Sequence, residues 1–168
     1  MLNGGTLNGE YKESYTVKDE TFALETPADR TGYKFGGWFE KEDFSGDAVS
    51  EIAKGSTGNK VFYAKWKPES CAVRFAENSG TGLNLSAENA LYGQQFVLTL
   101  TAHEGYTLPA SVEVEMVGSS ECFYSYSNGV ITISSVTGVI TITANGVINR
   151  YTVTYVLNGG SLNEGYKA

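Results

Sequence analysis

Residue types that could do chemistry are few in this chain, and they are scattered. The one histidine, His103, stands beside Glu104 in "TAHEGYTL", just after a strand-like alternation. Nucleophilic catalysis needs a serine or cysteine activated by a base, which in turn is oriented by an acid, and no G-x-S-x-G or similar elbow is present. His103 therefore reads as a solvated loop residue, and no enzyme activity is expected. The stretch "EKEDFSGD" gathers Glu40, Glu42, Asp43 and Asp47, but it lacks the D-x-[DN]-x-[DN]-G spacing and closing glutamate of a calcium loop. It reads as a solvated acidic loop, with no metal expected. Neither G-x-x-x-x-G-K-[ST] nor G-x-G-x-x-G occurs, so no nucleotide or other cofactor is expected.

Cys71 and Cys122 lie outside any C-x-x-C or other metal-ligand spacing. Bonded to each other they would close a loop of about 50 residues, worth roughly 4 kcal/mol in the chain-entropy picture. Unbonded, they are two small buried hydrophobes, which is the simpler reading. The aromatics offer one more chemistry, because an exposed indole is a surface on which a sugar stacks. Trp38 and Trp66 are the candidates for such a platform, with Tyr33, Phe35, Phe39, Phe62 and Tyr63 nearby in sequence. A module of about 65 residues needs large side chains for its core, so a core role outweighs the platform.

The elements that must position these residues are strands. The chain has 168 residues, of which 41 % are hydrophobic and only 18 % charged, with 20 glycines and recurrent Thr, Val, Tyr and Phe, the composition of short strands separated by tight turns. The net charge of −7 is unevenly placed: nine Lys/Arg meet eleven Asp/Glu in residues 1–67, but one meets seven in residues 68–149. That break divides the chain into two modules. An acidic chain with no basic run excludes nucleic acid and an anionic lipid surface as expected partners. No apolar run reaches the roughly 18 residues of a membrane span, so no membrane insertion is expected. No charged-then-apolar leader opens the chain, which reads as a soluble excised piece.

In the first module, Asn3-Gly4-Gly5 is a turn signal, followed by "SYTVKDETFAL", Pro27, "GYKFGGWF" and "KVFYAKW". Phe62, Ala64 and Trp66 alternate with Val61, Tyr63 and Lys65, which predicts a half-buried strand. "GDAVSEIAKG" is a candidate for one short helical turn. "KPES" reads as a linker, because proline and charge end a strand without offering it new pairing. The second module holds about seven short strands, "CAVRF", "GLNLSA", "FVLTLTA", "SVEVEM", "CFYSY", "VITIS" and "VITITA". "GVITI" occurs twice, at 129–133 and 138–142, and reads as a hairpin or as neighbouring strands across a short corner.

The first module resembles the Listeria-Bacteroides repeat family, to which the B repeats of listerial internalins belong. The resemblance rests on Asn3-Gly4-Gly5-Thr6, Pro27, Gly32-Tyr33-Lys34-Phe35-Gly36-Gly37-Trp38-Phe39 and Val61-Phe62-Tyr63-Ala64-Lys65-Trp66, in that order. One extra residue separates Phe62 from Ala64, and the strand that the pattern places before Asn3 is absent. The resemblance implies a small β-grasp-like module, found in tandem on bacterial surface proteins, with no catalytic residue to carry over. Residues 68–149 look like a module of Gram-positive surface proteins that alternates with this repeat; it implies extracellular placement and no defined ligand. The expected fold is mainly β: residues 1–67 as a Listeria-Bacteroides-type repeat lacking its opening strand, and 68–149 as an immunoglobulin-like β-sandwich.

Residues 150–168 begin the first module again. "YVLNGGSLNEGYK" repeats "MLNGGTLNGEYK" in a single register, with Leu157 on Leu2, a period of 155 residues. That period suits a string of beads rather than a solenoid. The second copy carries a strand-like prefix, "YTVTYV", which puts Tyr151, Val153, Tyr155 and Leu157 on one face and Thr152, Thr154 and Val156 on the other. It is the candidate donor strand for a first module that lacks one, so residues 151–157 are expected to drive head-to-tail self-association; folding back onto the chain's own first module is the alternative. The functional expectation is a structural or adhesive spacer of a modular bacterial cell-surface protein, extracellular, whose partners are other repeats of the same protein and a host or cell-wall glycan or protein. The alternative is a carbohydrate-binding accessory module.

Overall fold

The computed structural model describes residues 1–9, 11–119 and 121–160, and among them every regular element is a strand. The first module contains β1 (Phe22–Ala23), β2 (Tyr33–Phe39), β3 (Glu51–Ile52) and β4 (Tyr63–Pro68). The second contains β5 (Ser70–Phe75), β6 (Leu83–Leu85), β7 (Asn89–Leu91), β8 (Phe96–Ala102), β9 (Tyr106–Thr107), β10 (Glu113–Met116), β11 (Tyr124–Ser127), β12 (Val130–Ile133), β13 (Ile140–Thr143) and β14 (Val147–Ile148).

The first module is built on the antiparallel pair β2–β4. Phe35 faces Trp66 and Trp38 faces Ala64, so β2 advances three residues where β4 advances two. The extra residue is a bulge at Gly36-Gly37, with Gly37 at φ +106, a value that favours glycine. A regular strand would put Phe35 and Trp38 on opposite sides; the extra residue brings them to the same side. Phe35 packs edge-on against Trp38 at 5.3 Å and Trp66 at 5.6 Å between ring centroids. β1 pairs with β3, Phe22 opposite Ile52. The stretch "GDAVSEIAKG" is therefore not a helical turn: Val49 bridges Trp38 and Glu51–Ile52 is strand. Its apolar residues answer partners distant in sequence, and that pairing outweighs local spacing.

The second module stacks two four-stranded sheets, in the orders β10-β13-β5-β7 and β11-β12-β8-β6. Their inner faces meet over Leu98, Leu100, Ile131, Ile133, Ile140 and Ile142, all essentially inaccessible. Val114 and Met116 on β10 are buried and Glu113 and Glu115 exposed, as their alternation predicts. The two "GVITI" segments are not a hairpin. β12 lies in one sheet and β13 in the other, so Ile131 and Ile133 look across the core towards Ile140 and Ile142. The connection between them passes through the fully buried Val136, which fixes the corner. β7, β9 and β14, which no sequence pattern announced, complete the pairing.

β13 runs parallel to β5, Ile140 beside Val73 and Ile142 beside Phe75. Because the chain enters this module at Ser70 and both strands point the same way, it leaves at the opposite end, where Gly146 bonds to Thr81 and Asn149 to Gly105. The "KPES" stretch, 67–70, is not a slack linker. Pro68 closes β4 opposite Tyr33 and Ser70 opens β5, leaving Glu69 as the single residue between strands.

Candidate strand-acceptor slot and intermodule joint

The first module has four buried hydrophobic residues, Trp38, Phe39, Ile52 and Ala64, against fourteen in the second. Its core is open along one side. Residues 1–3 lie against the start of β4: the Met1 amine donates to the Phe62 carbonyl, and the Ala64 amide donates to the Met1 carbonyl at 2.9 Å. These two bonds bracket Tyr63, the pattern of parallel strands. Asn3 Nδ2 donates to the Ala64 carbonyl at 2.9 Å and Trp66 Nε1 to the Leu2 carbonyl at 3.0 Å. Leu2, Asn3, Gly4 and Gly5 form a tight turn, closed by the Gly5 amide on the Leu2 carbonyl at 2.9 Å, with φ +47 at Asn3 and +87 at Gly4. Two successive positive φ values define the type I′ hairpin turn.

Upstream of Tyr63, residues 58–62 belong to no strand, and neither do residues 11–16. Between them is a slot of about 420 Å³, with Lys12–Tyr15 along one wall, Gly58–Lys60 along the other, and Phe22, Leu24, Ile52 and Phe62 as an apolar floor. A second concavity of about 680 Å³ adjoins it over Phe22, Leu24 and Phe62, reaching Leu2 and Trp38. The slot is bridged by the length of one tyrosine: Tyr15 Oη donates to the Gly58 carbonyl. Lys12 Nζ stands 4.4 Å from the Phe22 ring centroid and pairs with Asp19 at 2.7 Å. That Lys12 ammonium, with the Thr16 amide, holds the Asp19 carboxyl below its usual value. On the far wall the Glu40 carboxylate, 2.9 Å away, raises Lys60.

Tyr151, Val153, Tyr155 and Leu157 are exposed, 76, 75, 66 and 41 %, and residues 150–157 join no strand. Asn158-Gly159 nevertheless forms the same turn as Asn3-Gly4, with φ +41 and +98 and a 2.8 Å bond from the Gly160 amide to the Leu157 carbonyl. Leu162, Asn163, Tyr166 and Lys167 of the repeat lie outside the described residues.

Trp38 is 8 % exposed and its indole donates to the Glu25 carbonyl at 2.9 Å. Trp66 is covered by the glycine turn: a side chain at Gly5 would come within 2.4 Å of the indole. Arg30 covers it further, 5.8 Å from that ring and 4.0 Å from Tyr33. His103 and Glu104 are exposed on a turn where the His103 amide bonds to Gly82. Glu40, Glu42, Asp43 and Asp47 are spread over an exposed loop; Asp43 is held below its usual value by Ser45, and no three acidic, histidine or cysteine side chains converge among the described residues. Cys71 and Cys122 are free thiols packed in or against the second core, and burial pushes both upward.

A joint that sequence reasoning missed couples the two modules. Tyr33 and Tyr92 meet edge-to-face at 5.6 Å. Tyr92 lies flat on Gly32, where an added Cβ would be 2.2 Å from the ring, and the Tyr33 hydroxyl closes on Gly93, 2.5 Å from an added Cβ. The backbone is tied as well: Glu69 donates to Gly32 at 2.8 Å and Tyr92 to Glu69 at 2.9 Å, while Gly93 and Val136 anchor the Tyr92 turn to the sandwich corner. The glycine-tyrosine step of the first module's pattern was visible; its partner "LYG" was not, because nothing local marks it as a contact.

Residues 1–65 match the family model of the Listeria-Bacteroides repeat domain. Two curated proteins of Evansella cellulosilytica are similar along 95 % of this chain: a "Putative membrane protein", 27 % identical, and a "Putative Gly-rich membrane protein", 26 % identical. The chain spans only 22 % and 17 % of their lengths. No solved structure matches it.

Proposed function

We propose that this chain is a structural spacer from a modular, repeat-containing bacterial surface protein, a β-grasp-like repeat followed by an immunoglobulin-like sandwich. The observation that carries the reading is directional: the parallel β5–β13 pair takes the chain in at one end of the second module and out at the other. A spacer needs that passage, and it needs joints that do not fold up. The strand-to-strand junction through Glu69, clamped by Tyr33 on Tyr92, supplies one. A repeat period of 155 residues and relatives several times longer, named as membrane proteins, fit a string of such beads. The parent would stand outside the cell and present a binding region elsewhere; no catalytic role is assigned to this chain.

The test is the rotational behaviour of the two modules. ¹⁵N relaxation and residual dipolar couplings should give both modules one alignment tensor, and Tyr92→Ala should separate the tensors while each module keeps its own fold. Independent tumbling of the unaltered modules would sink the spacer reading.

A further inference from the structure

We infer that the slot between residues 12–15 and 58–62 is a strand receptor, and that its occupant is Tyr151–Val156 of a second copy of this chain, added parallel to the segment leading into β4. Four observations converge. The slot has apolar side chains for a floor and, along both walls, backbone that joins no strand, the two things an added strand uses. Met1 and Leu2 already occupy the end of that strand position, with parallel bonds to Phe62 and Ala64. The tail is the segment that precedes the same Leu-Asn-Gly-Gly turn in the other copy of the motif, and that turn has the same conformation in both copies. And the tail lies exposed with its apolar face uncovered.

The repeat sets the register. With Val156 in the place of Met1, opposite Tyr63, Tyr155 falls beside Phe62, Thr154 beside Val61, Val153 beside Lys60, Thr152 beside Asn59 and Tyr151 beside Gly58. Paired residues of parallel strands project to the same side. Tyr151, Val153, Tyr155 and Leu157 then share the side of Leu2 and Phe62, over Phe22, Leu24 and Ile52, while Thr152 and Thr154 face out with Met1. Tyr151 arrives where the Tyr15 hydroxyl holds Gly58, so Tyr15 and Lys12 are the side chains to be displaced; both are near the surface. Met1–Leu2 of the acceptor is displaced with them. A chain does not reach its own slot by this route, because the tail leaves the second module at the end away from the joint. The product is therefore a head-to-tail chain of molecules or a closed ring.

The test uses the full chain and a Val153→Asp/Tyr155→Asp form, whose altered residues are exposed and join no strand in the single molecule. Light scattering coupled to size exclusion over a hundredfold concentration range should show the unaltered chain rising from 18.1 kDa to multiples of it. The altered form should stay at 18.1 kDa. Amide exchange at residues 59–62 should slow with concentration only in the unaltered chain. A peptide of residues 150–157 added to the altered form should restore that protection at one peptide per chain. Monomers throughout, equal association of both forms, or concentration-independent protection of 59–62 would each overturn the proposal. None of these outcomes bears on the rigidity of the joint, so the spacer reading stands or falls separately.

Discussion

Gly32 carries two constraints at once, a φ of +75 and a tyrosine ring against its α-carbon. Gly32→Ala adds left-handed strain to a clash that Tyr92 relieves only by leaving the joint, so the unfolding transition reported by Trp38 and Trp66 should lose about 2–4 kcal/mol in urea. The charge pairs on the slot walls are weaker matters. Asp19 is held low by Lys12, so the stabilisation it contributes is present above its ordinary value of 3.8 and is lost as pH falls through its depressed folded value. Lys12→Met should return the Asp19 carboxyl, followed by NMR, towards 3.8. The effect on global stability should be small, because the pair is exposed. Cys71 and Cys122, raised by burial, should react slowly with thiol reagents at pH 8 and quickly once the second module is unfolded.

Among the elements, seven of the ten strands of the second module were legible as short strand-like runs, and β7, β9 and β14 were not. The run "FVLTLTA" and both "VITI" segments bury alternate residues, and truncating one of them, Ile131→Ala or Ile142→Ala, should cost about 2–5 kcal/mol by the cavity it leaves. What alternation could not supply is which sheet each strand joins. The two "VITI" runs have the same pattern, and only the buried Val136 corner sends them to opposite sides of the core. In the first module the reading was less complete. "KVFYAKW" became β4 over its second half alone, since Lys60 and Phe62 line the open slot rather than meet a neighbouring strand. "GDAVSEIAKG" spaced its apolar residues as a helix would, yet Val49 and Ile52 pair with Trp38 and Phe22. The glycine pair in "FGGW" is a bulge within a strand, and the extra residue is what brings Phe35 and Trp38 to one side of it.

At the scale of the whole molecule, slot and tail make a prediction about connectivity. A chain carrying residues 150–155 directly before Met1 and ending at Asn149 would fill the slot from within. It should stay monomeric at every concentration, and its tryptophan-reported unfolding should be stabilised by about 3 kcal/mol or more, since Val153 and Tyr155 gain an apolar floor. If stability is unchanged, the register derived from the repeat is wrong. Stability that rises without loss of association would instead place the self-association elsewhere.

The sequence by itself determined the β class, the internal repeat and the glycine turns, because period-two alternation, a recurring motif and the positive φ of Asn-Gly are local properties of a chain. It also marked Tyr151, Val153, Tyr155 and Leu157 as one apolar face in search of a partner. The tertiary structure alone decided the parallel β5–β13 pairing that passes the chain from end to end, the Tyr33–Tyr92 clamp and the slot beside residues 58–62. Each of these brings together segments far apart in sequence, and which distant surfaces meet is set by how whole sheets pack, not by the residues flanking either one.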